Sequence, residues 1–237
     1  VQDHLERALA QFTNAKVETT AAGRTDSGVH AAAQVVHFDT EAVREPHSWV
    51  RGTNTHLPPG VRVLWSAQVP DDFHARYRAT ARTYRYLLLD APAAPAILKG
   101  KLGWHHRPLD VTLMDGAVRT LVGEHDFSSF RDAECQAKSP VRTLTHASVE
   151  RRGNLVVVTL VANAFLHHMV RNIVGALVYV GDGRQGPGWL AELLVLRDRT
   201  RAAPTFMADG LYLAAITYDP AFELPAFPDH PLLHHAP

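Results

Sequence analysis

Asp26 lies in the string Gly23-Arg24-Thr25-Asp26-Ser27-Gly28-Val29-His30-Ala31, two residues after Arg24. A carboxylate on a tight, glycine-bounded turn beside a guanidinium stays ionised and aimed, as a nucleophile or charge stabiliser requires. Thr-Asp-Ser-Gly is also ordinary turn chemistry, because Asp bonds nearby backbone N–H groups and Gly accepts positive φ. Further along, the alternation in Arg82-Thr83-Tyr84-Arg85-Tyr86 puts Tyr84 and Tyr86 on one strand face. There they either fill a core or offer a ring and a hydroxyl to a ligand. His167, His168 and Arg171 are spaced i, i+1, i+4 opposite an apolar stripe of Leu166, Val170, Ile173 and Leu177. That polar face is either solvated or holds a cation that needs an anionic partner.

These residues need elements to hold them. An amphipathic helix is expected over 1–12, with strands over 16–21 and 34–40 flanking the Asp26 turn. A short helix over 46–57 ends at Pro58-Pro59-Gly60, and strands follow over 61–69 and 82–89. The stretch Ala91-Pro92-Ala93-Ala94-Pro95-Ala96 reads as a stiff linker. Beyond it come a helix near 111–122, strands near 141–151 and 155–161, a helix from Ala164 to about Val180 with Asn163 as its N-cap, a helix over 190–196 and a strand over 211–218. Gly181-Asp182-Gly183-Arg184 lacks the P-loop lysine pattern and ends a helix. The expected fold class is α+β, built as two similar antiparallel-sheet halves with helices on one side. The first half spans 1–90, a linker 91–100, the second half 101–219, and a loosely packed tail rich in Pro and His 220–237.

Composition narrows the class. The 237 residues are 46% hydrophobic and 20% charged, with no apolar run long enough to span a bilayer and no signal-peptide pattern at the start. One cysteine, Cys135, excludes an intrachain disulfide framework and fits a reducing, cytoplasmic setting. It reads as structural rather than reactive, since nothing in the sequence marks a base for it. Formal net charge is zero, yet 62–107 carries eight arginines and lysines against three aspartates, a local excess of five. That is either a solvated face or a phosphate-contacting one. His105-His106 and His167-His168 are adjacent pairs, not the i, i+4 spacing of a helical zinc site, so no metal is expected.

The string around Asp26 closely resembles the catalytic motif of the TruA-type tRNA pseudouridine synthases. The segments 73–77 (Phe-His-Ala-Arg-Tyr), 82–86, 135–142 (Cys-Gln-Ala-Lys-Ser-Pro-Val-Arg) and 163–172 (Asn-Ala-Phe-Leu-His-His-Met-Val-Arg-Asn) resemble further family blocks in the family's order. The resemblance runs from residue 1 to about Asp219. It implies that the two sheets join into the pseudouridine synthase fold with a central cleft, and that the protein is a homodimer. Family members begin with an additional strand carrying Tyr-Asp-Gly and Gly-Trp-Gln. This chain starts at the helix that follows, with Val1, so the usual first strand is expected to be absent and a sheet edge left unpaired.

The activity implied is isomerisation of uridine to pseudouridine at positions 38, 39 and 40 of the tRNA anticodon stem-loop. The uracil leaves its ribose, turns while bound, and rejoins through carbon, which needs neither metal nor organic cofactor. By resemblance, Asp26 is the essential carboxylate, Tyr84 packs on the target uracil, and Arg171 pairs with Asp26 across the cleft. Arg24 pushes out the target nucleotide and takes its place. Phe73, His74, Ala75, Arg76 and Tyr77, with Glu134, Cys135, Gln136, Ala137 and Lys138, resemble segments that contact tRNA, positioning its backbone rather than reading bases. Whether Asp26 attacks the base, attacks the sugar or removes a ribose proton stays open. The alternatives are a non-catalytic RNA-binding module on the same scaffold and a metal-dependent hydrolase built on the histidine pairs.

Overall fold

A computed structural model describes residues 1–227, and its contacts divide the chain into two compact units. The first contains Val1–Arg24, Ala33–Thr80 and the chain from Ile216 onward; the second contains Thr25–Ala32 and Ala81–Ala215. The segment 91–100, expected as a linker, therefore lies inside the second unit.

In the first unit, α1 (Gln2–Thr13) buries Ala8 and Leu9 and ends at Asn14 in the left-handed region. α2 (Pro46–His56) starts with Pro at its first turn, where a missing N–H costs nothing. Trp49 on α2 meets Phe12 edge-on at 5.3 Å and Phe38 at 5.5 Å. The strands expected on either side of the Asp26 turn shrink to a two-residue antiparallel ladder, β1 (Thr20–Ala21) with β3 (Val36–His37). The expected strand over 61–69 joins no ladder. Its backbone partner is a side chain instead: the Asn54 amide accepts from Val63 N at 2.8 Å and donates to Val63 O at 2.8 Å. One amide thus does what a neighbouring strand would do. The tail is packed as far as it is described. Phe222 meets Phe73 at 5.1 Å, and Phe227 meets Trp65 at 5.7 Å. The rest of the expected loose tail, 228–237, lies outside the described residues.

The second unit holds a seven-stranded sheet. Along its path run β2 (His30–Ala31), β9 (Leu211–Thr217), β4 (Ala81–Asp90), β8 (Leu155–Ala162), β7 (Val141–Arg152) and β6 (Gly123–Asp126), with β5 (Gly103–His105) beside β4. β4, β8, β7 and β6 are joined antiparallel. Two short pairings, β2 with β9 and β4 with β5, are parallel, which alternation alone did not suggest. β8 reads Leu-Val-Val-Val-Thr-Leu-Val-Ala and is buried on both faces, as such an apolar run requires.

α3 (Val111–Arg119) is capped by Asp110, whose side chain accepts from Leu113 N. α4 (Met169–Gly181) is almost wholly buried and packs with α3 in the core formed by Tyr86, Leu88, Leu144, Val158, Leu160, Ile173 and Leu177. α5 is Trp189–Leu196. α4 starts five residues later than expected, and Asn163 is not its cap. The Asn163 carboxamide instead accepts from Thr143 N and Ala164 N, closing the end of β8 onto β7. The helix stops at Gly181, with Gly183 at φ 78, as the glycine pattern indicated.

Candidate active site

The Asp26 turn closes with a bond from Val29 N to Asp26 O at 3.1 Å. Gly28 sits at φ 82, and a Cβ there would lie 3.2 Å from Ala208 Cβ. The positive φ favours glycine there, and a side chain would crowd Ala208. The turn feeds β2, where His30 stacks on Tyr212 of β9 at 4.7 Å and bonds Gly100 O at 2.9 Å. Asp26 thus hangs from the same sheet that carries β4.

Arg171 is in the first turn of α4, its side chain only 16% exposed. Its Nε donates to Phe206 O at 2.8 Å, and its Nη1 donates to Asp26 Oδ2 at 3.3 Å. The next residue, Asn172, fixes the helix beneath it. Asn172 is fully buried, donates to Phe130 O at 2.8 Å, and accepts from Arg199 at 3.0 Å and Thr205 at 2.7 Å. Gly175, one turn on, lets Pro204 approach; a Cβ there would fall 2.4 Å from Pro204 O. The loop 203–209 is thereby pinned to α4 and also touches the Asp26 turn.

Two further groups face the carboxylate. His168 Nε2 lies 3.1 Å from Asp26 Oδ2, and His167 Nε2 lies 3.3 Å from Asp26 Oδ1. The two rings stack at 3.9 Å. Neither is on the helical face expected for it: His167 precedes α4, and His168 is its N-cap in the left-handed region at φ 58. Behind them, Asp132 meets His168 Nδ1 at 2.7 Å and His167 Nδ1 at 3.5 Å. Asp132 is held below the usual carboxylate range by the Glu134 N–H first, against burial, with the His168 bond adding to the effect. Asp132 carries no signal in the sequence beyond lying beside the block that starts at Glu134. Nothing in the spacing joined either histidine to Asp26.

Tyr84 lies on β4 with Phe165 edge-on at 5.0 Å. Burial, with the Asp26 charge added, pushes its hydroxyl up to about 12, so it remains a neutral phenol at ordinary pH. Tyr86, on the same face of the strand, is fully buried in the core and donates to Met207 O at 2.9 Å. Tyr84 is half-buried and packs against the same core.

The remaining expected residues are distributed more widely. Arg24 is exposed and belongs to the first unit. In that unit Phe73 and Ala75 are buried, so their side chains pack rather than face a ligand; Arg76 and Tyr77 are exposed, with the guanidinium 5.7 Å from the Tyr77 ring centre. His74 lies 4.2 Å from the same ring. In the second unit Glu134, Gln136 and Lys138 are exposed, while Cys135 and Ala137 are half-buried. Arg131 donates to Cys135 O and Ala137 O, both at 2.8 Å, and His167 N donates to Cys135 Sγ at 3.4 Å. Cys135 therefore helps to place His167.

Among the described residues, Asp26, His167 and His168 form a group that could hold a metal, their ligand atoms lying within 4.8 Å of one another. Two imidazoles and a carboxylate suit zinc by type. However, the Asp26 oxygen that faces His168 also takes Arg171, whose fixed charge opposes a second cation there. Two imidazoles and one guanidinium surround a single carboxylate, 27% exposed.

The chain is similar to known proteins over most of its length. A family model described as tRNA pseudouridine synthase matches residues 1–78 and 117–219. The chain belongs to the tRNA pseudouridine synthase family. It is 57% identical over 225 residues to tRNA pseudouridine synthase A of Methylobacillus flagellatus, covering 95% of this chain and 86% of the relative. It is also 57% identical over 231 residues to the enzyme of that name from Janthinobacterium sp., covering 95% and 85%. For the Herminiimonas arsenicoxydans enzyme the identity is 56% over 229 residues, covering 95% and 83%. Pseudouridine synthases are isomerases, and the activity of this family member is tRNA pseudouridine synthesis. No helix among the described residues is long and apolar enough to cross a membrane.

Proposed function

We propose that this synthase isomerises uridines at positions 38, 39 and 40 of the tRNA anticodon stem-loop, with Asp26 as the catalytic carboxylate. The observation that carries this assignment is the Asp26 side chain, gripped at 3.1–3.3 Å by His168, His167 and Arg171. The carboxylate remains partly open to solvent. In the reaction the N1–C1′ bond breaks and a C5–C1′ bond forms; the C5 hydrogen leaves as a proton, and N1 gains one. Atoms and electrons balance within the nucleoside and its exchanged protons, so the protein's task is to hold charge and geometry.

The target uridine has to leave its stack before a half-buried ring can meet it. Tyr84 packs on the freed uracil and holds it while it turns. Arg171 fixes Asp26. Arg24 occupies the space of the everted nucleotide. Segments 73–77 and 134–138 contact the tRNA backbone, and within them exposed Arg76, Tyr77, Gln136 and Lys138 are the side chains able to do so. The enzyme works in the cytoplasm as a homodimer and without a metal.

Tritium release from tRNA labelled at uracil C5 tests this reading. Turnover should survive EDTA and should fall in step as positions 38, 39 and 40 are replaced one by one. Turnover abolished by chelation, or unaffected by replacing all three, would overturn it.

A further inference from the structure

We propose that Asp132 is a positioning residue for the Asp26 carboxylate, acting through the imidazole of His168. The three groups form a line. Asp132 Oδ2 lies 2.7 Å from His168 Nδ1, and His168 Nε2 lies 3.1 Å from Asp26 Oδ2. Both ring nitrogens face carboxylate oxygens, which only accept. The bond between His168 Nδ1 and Asp132 Oδ2 fixes the ring, and that orientation sets Nε2 against Asp26 Oδ2.

The backbone points the same way. His168 is held at φ 58, a conformation uncommon for residues with a Cβ. Asp132 secures the segment ahead of it by donating from its N to His167 O at 3.2 Å. Its other carboxylate oxygen accepts from Glu134 N at 2.9 Å, so the side chain is fixed at both oxygens. Burial matches along the line: Asp132 is 23% exposed, His168 22% and Asp26 27%. The line enters Asp26 on the oxygen that also receives Arg171, so two groups anchored on different supports meet at one oxygen. Arg171 is tied to Phe206, and His168 is tied to Asp132.

The inference rests on Asp26 being the catalytic carboxylate, and a variant cycle separates the two claims. Single-turnover tritium release at saturating tRNA is compared for wild type, Asp26→Asn, Asp132→Ala, His168→Asn and the Asp132→Ala/His168→Asn double variant. Asn tolerates the left-handed backbone and is too short to reach Asp26. Asp132→Ala and His168→Asn should each slow the step by about 10- to 100-fold, the range expected for losing a hydrogen bond to a charged group. The double variant should be no slower than the slower single one, and tRNA affinity should stay within about twofold of wild type.

An unchanged Asp132→Ala rate, a double-variant loss equal to the product of the single losses, or a loss confined to tRNA affinity would each overturn the proposal. If Asp132→Ala does not fold, Asp132→Asn replaces it in the cycle, since its carboxamide oxygen keeps the bond from Glu134 N. An active Asp26→Asn would instead sink the assignment of Asp26 itself.

Discussion

Three side chains converge on the Asp26 oxygens, and they differ in what their loss should do. Arg171 is tied to backbone through Phe206 O and supplies a permanent charge, so Arg171→Ala removes orientation and attraction together. Its single-turnover rate should fall by about 10- to 100-fold with tRNA affinity near wild type, because the residue is on the chemical side of the site. An unchanged rate at saturating tRNA would contradict that role. At Tyr84, burial raises the hydroxyl to about 12, and Phe165 fixes the ring edge-on. If stacking is the ring's main contribution, Tyr84→Phe keeps it, and Tyr84→Ala loses that and the hydroxyl. Single-turnover rates should therefore drop less for Phe than for Ala; equal drops would assign the work to the hydroxyl.

Two elements carry the site, and each has a polar clamp that can be tested. α4 is anchored by Asn172, whose buried carboxamide serves Phe130 O, Arg199 and Thr205. Asn172→Leu strands those groups and should cost about 2–4 kcal/mol in urea unfolding, since each unsatisfied buried group costs roughly 1–3. β4 is anchored at its far end by Asp90, which accepts from Arg151 at 2.9 and 2.7 Å and from Leu109 N at 3.0 Å. Burial raises its pKa, but the Arg151 bonds, then the Leu109 N–H, outweigh burial and leave it below the usual range. A depressed folded pKa gives stability that is present above the unfolded value of about 4 and lost as pH falls through the folded one. Asp90→Asn should therefore destabilise by about 1–3 kcal/mol at neutral pH, with the gap to wild type closing progressively below about pH 4. A gap independent of pH would point to packing instead.

At this scale the sequence was legible where one segment satisfies itself. Apolar periodicity placed α1, α2, α3, α5, β4, β7, β8 and β9 within a few residues. It failed where distant groups do the satisfying. Asn54 replaces a strand at Val63, Asn163 closes a sheet end rather than capping α4, and β2, β5 and β6 are too short to show alternation. The site divides along the same line. Family motifs offered Asp26, Tyr84 and Arg171 as candidates, and Arg171 does meet Asp26. Asp132 had no such signal, because its bond is to a histidine 36 residues away.

For the whole molecule, a formal net charge of zero coexists with a positive excess over 62–107, where Arg76, Lys99, Lys101 and Arg107 are exposed. Phosphate contacts release counterions, so the tRNA Kd should weaken steeply with salt; removing one contacting cation such as Arg76 should lower the log–log slope by about 0.7–0.9. A slope unchanged in Arg76→Ala would remove that residue from the interface.

The proposed isomerisation depends on a single charged group, and Asp26→Asn tests it most directly. The substitution keeps size and hydrogen-bonding shape while removing the charge. Single-turnover tritium release on a tRNA carrying uridines at 38–40, with binding measured in parallel, should show tRNA still bound and no release above background. Release at a rate comparable to wild type would contradict the account.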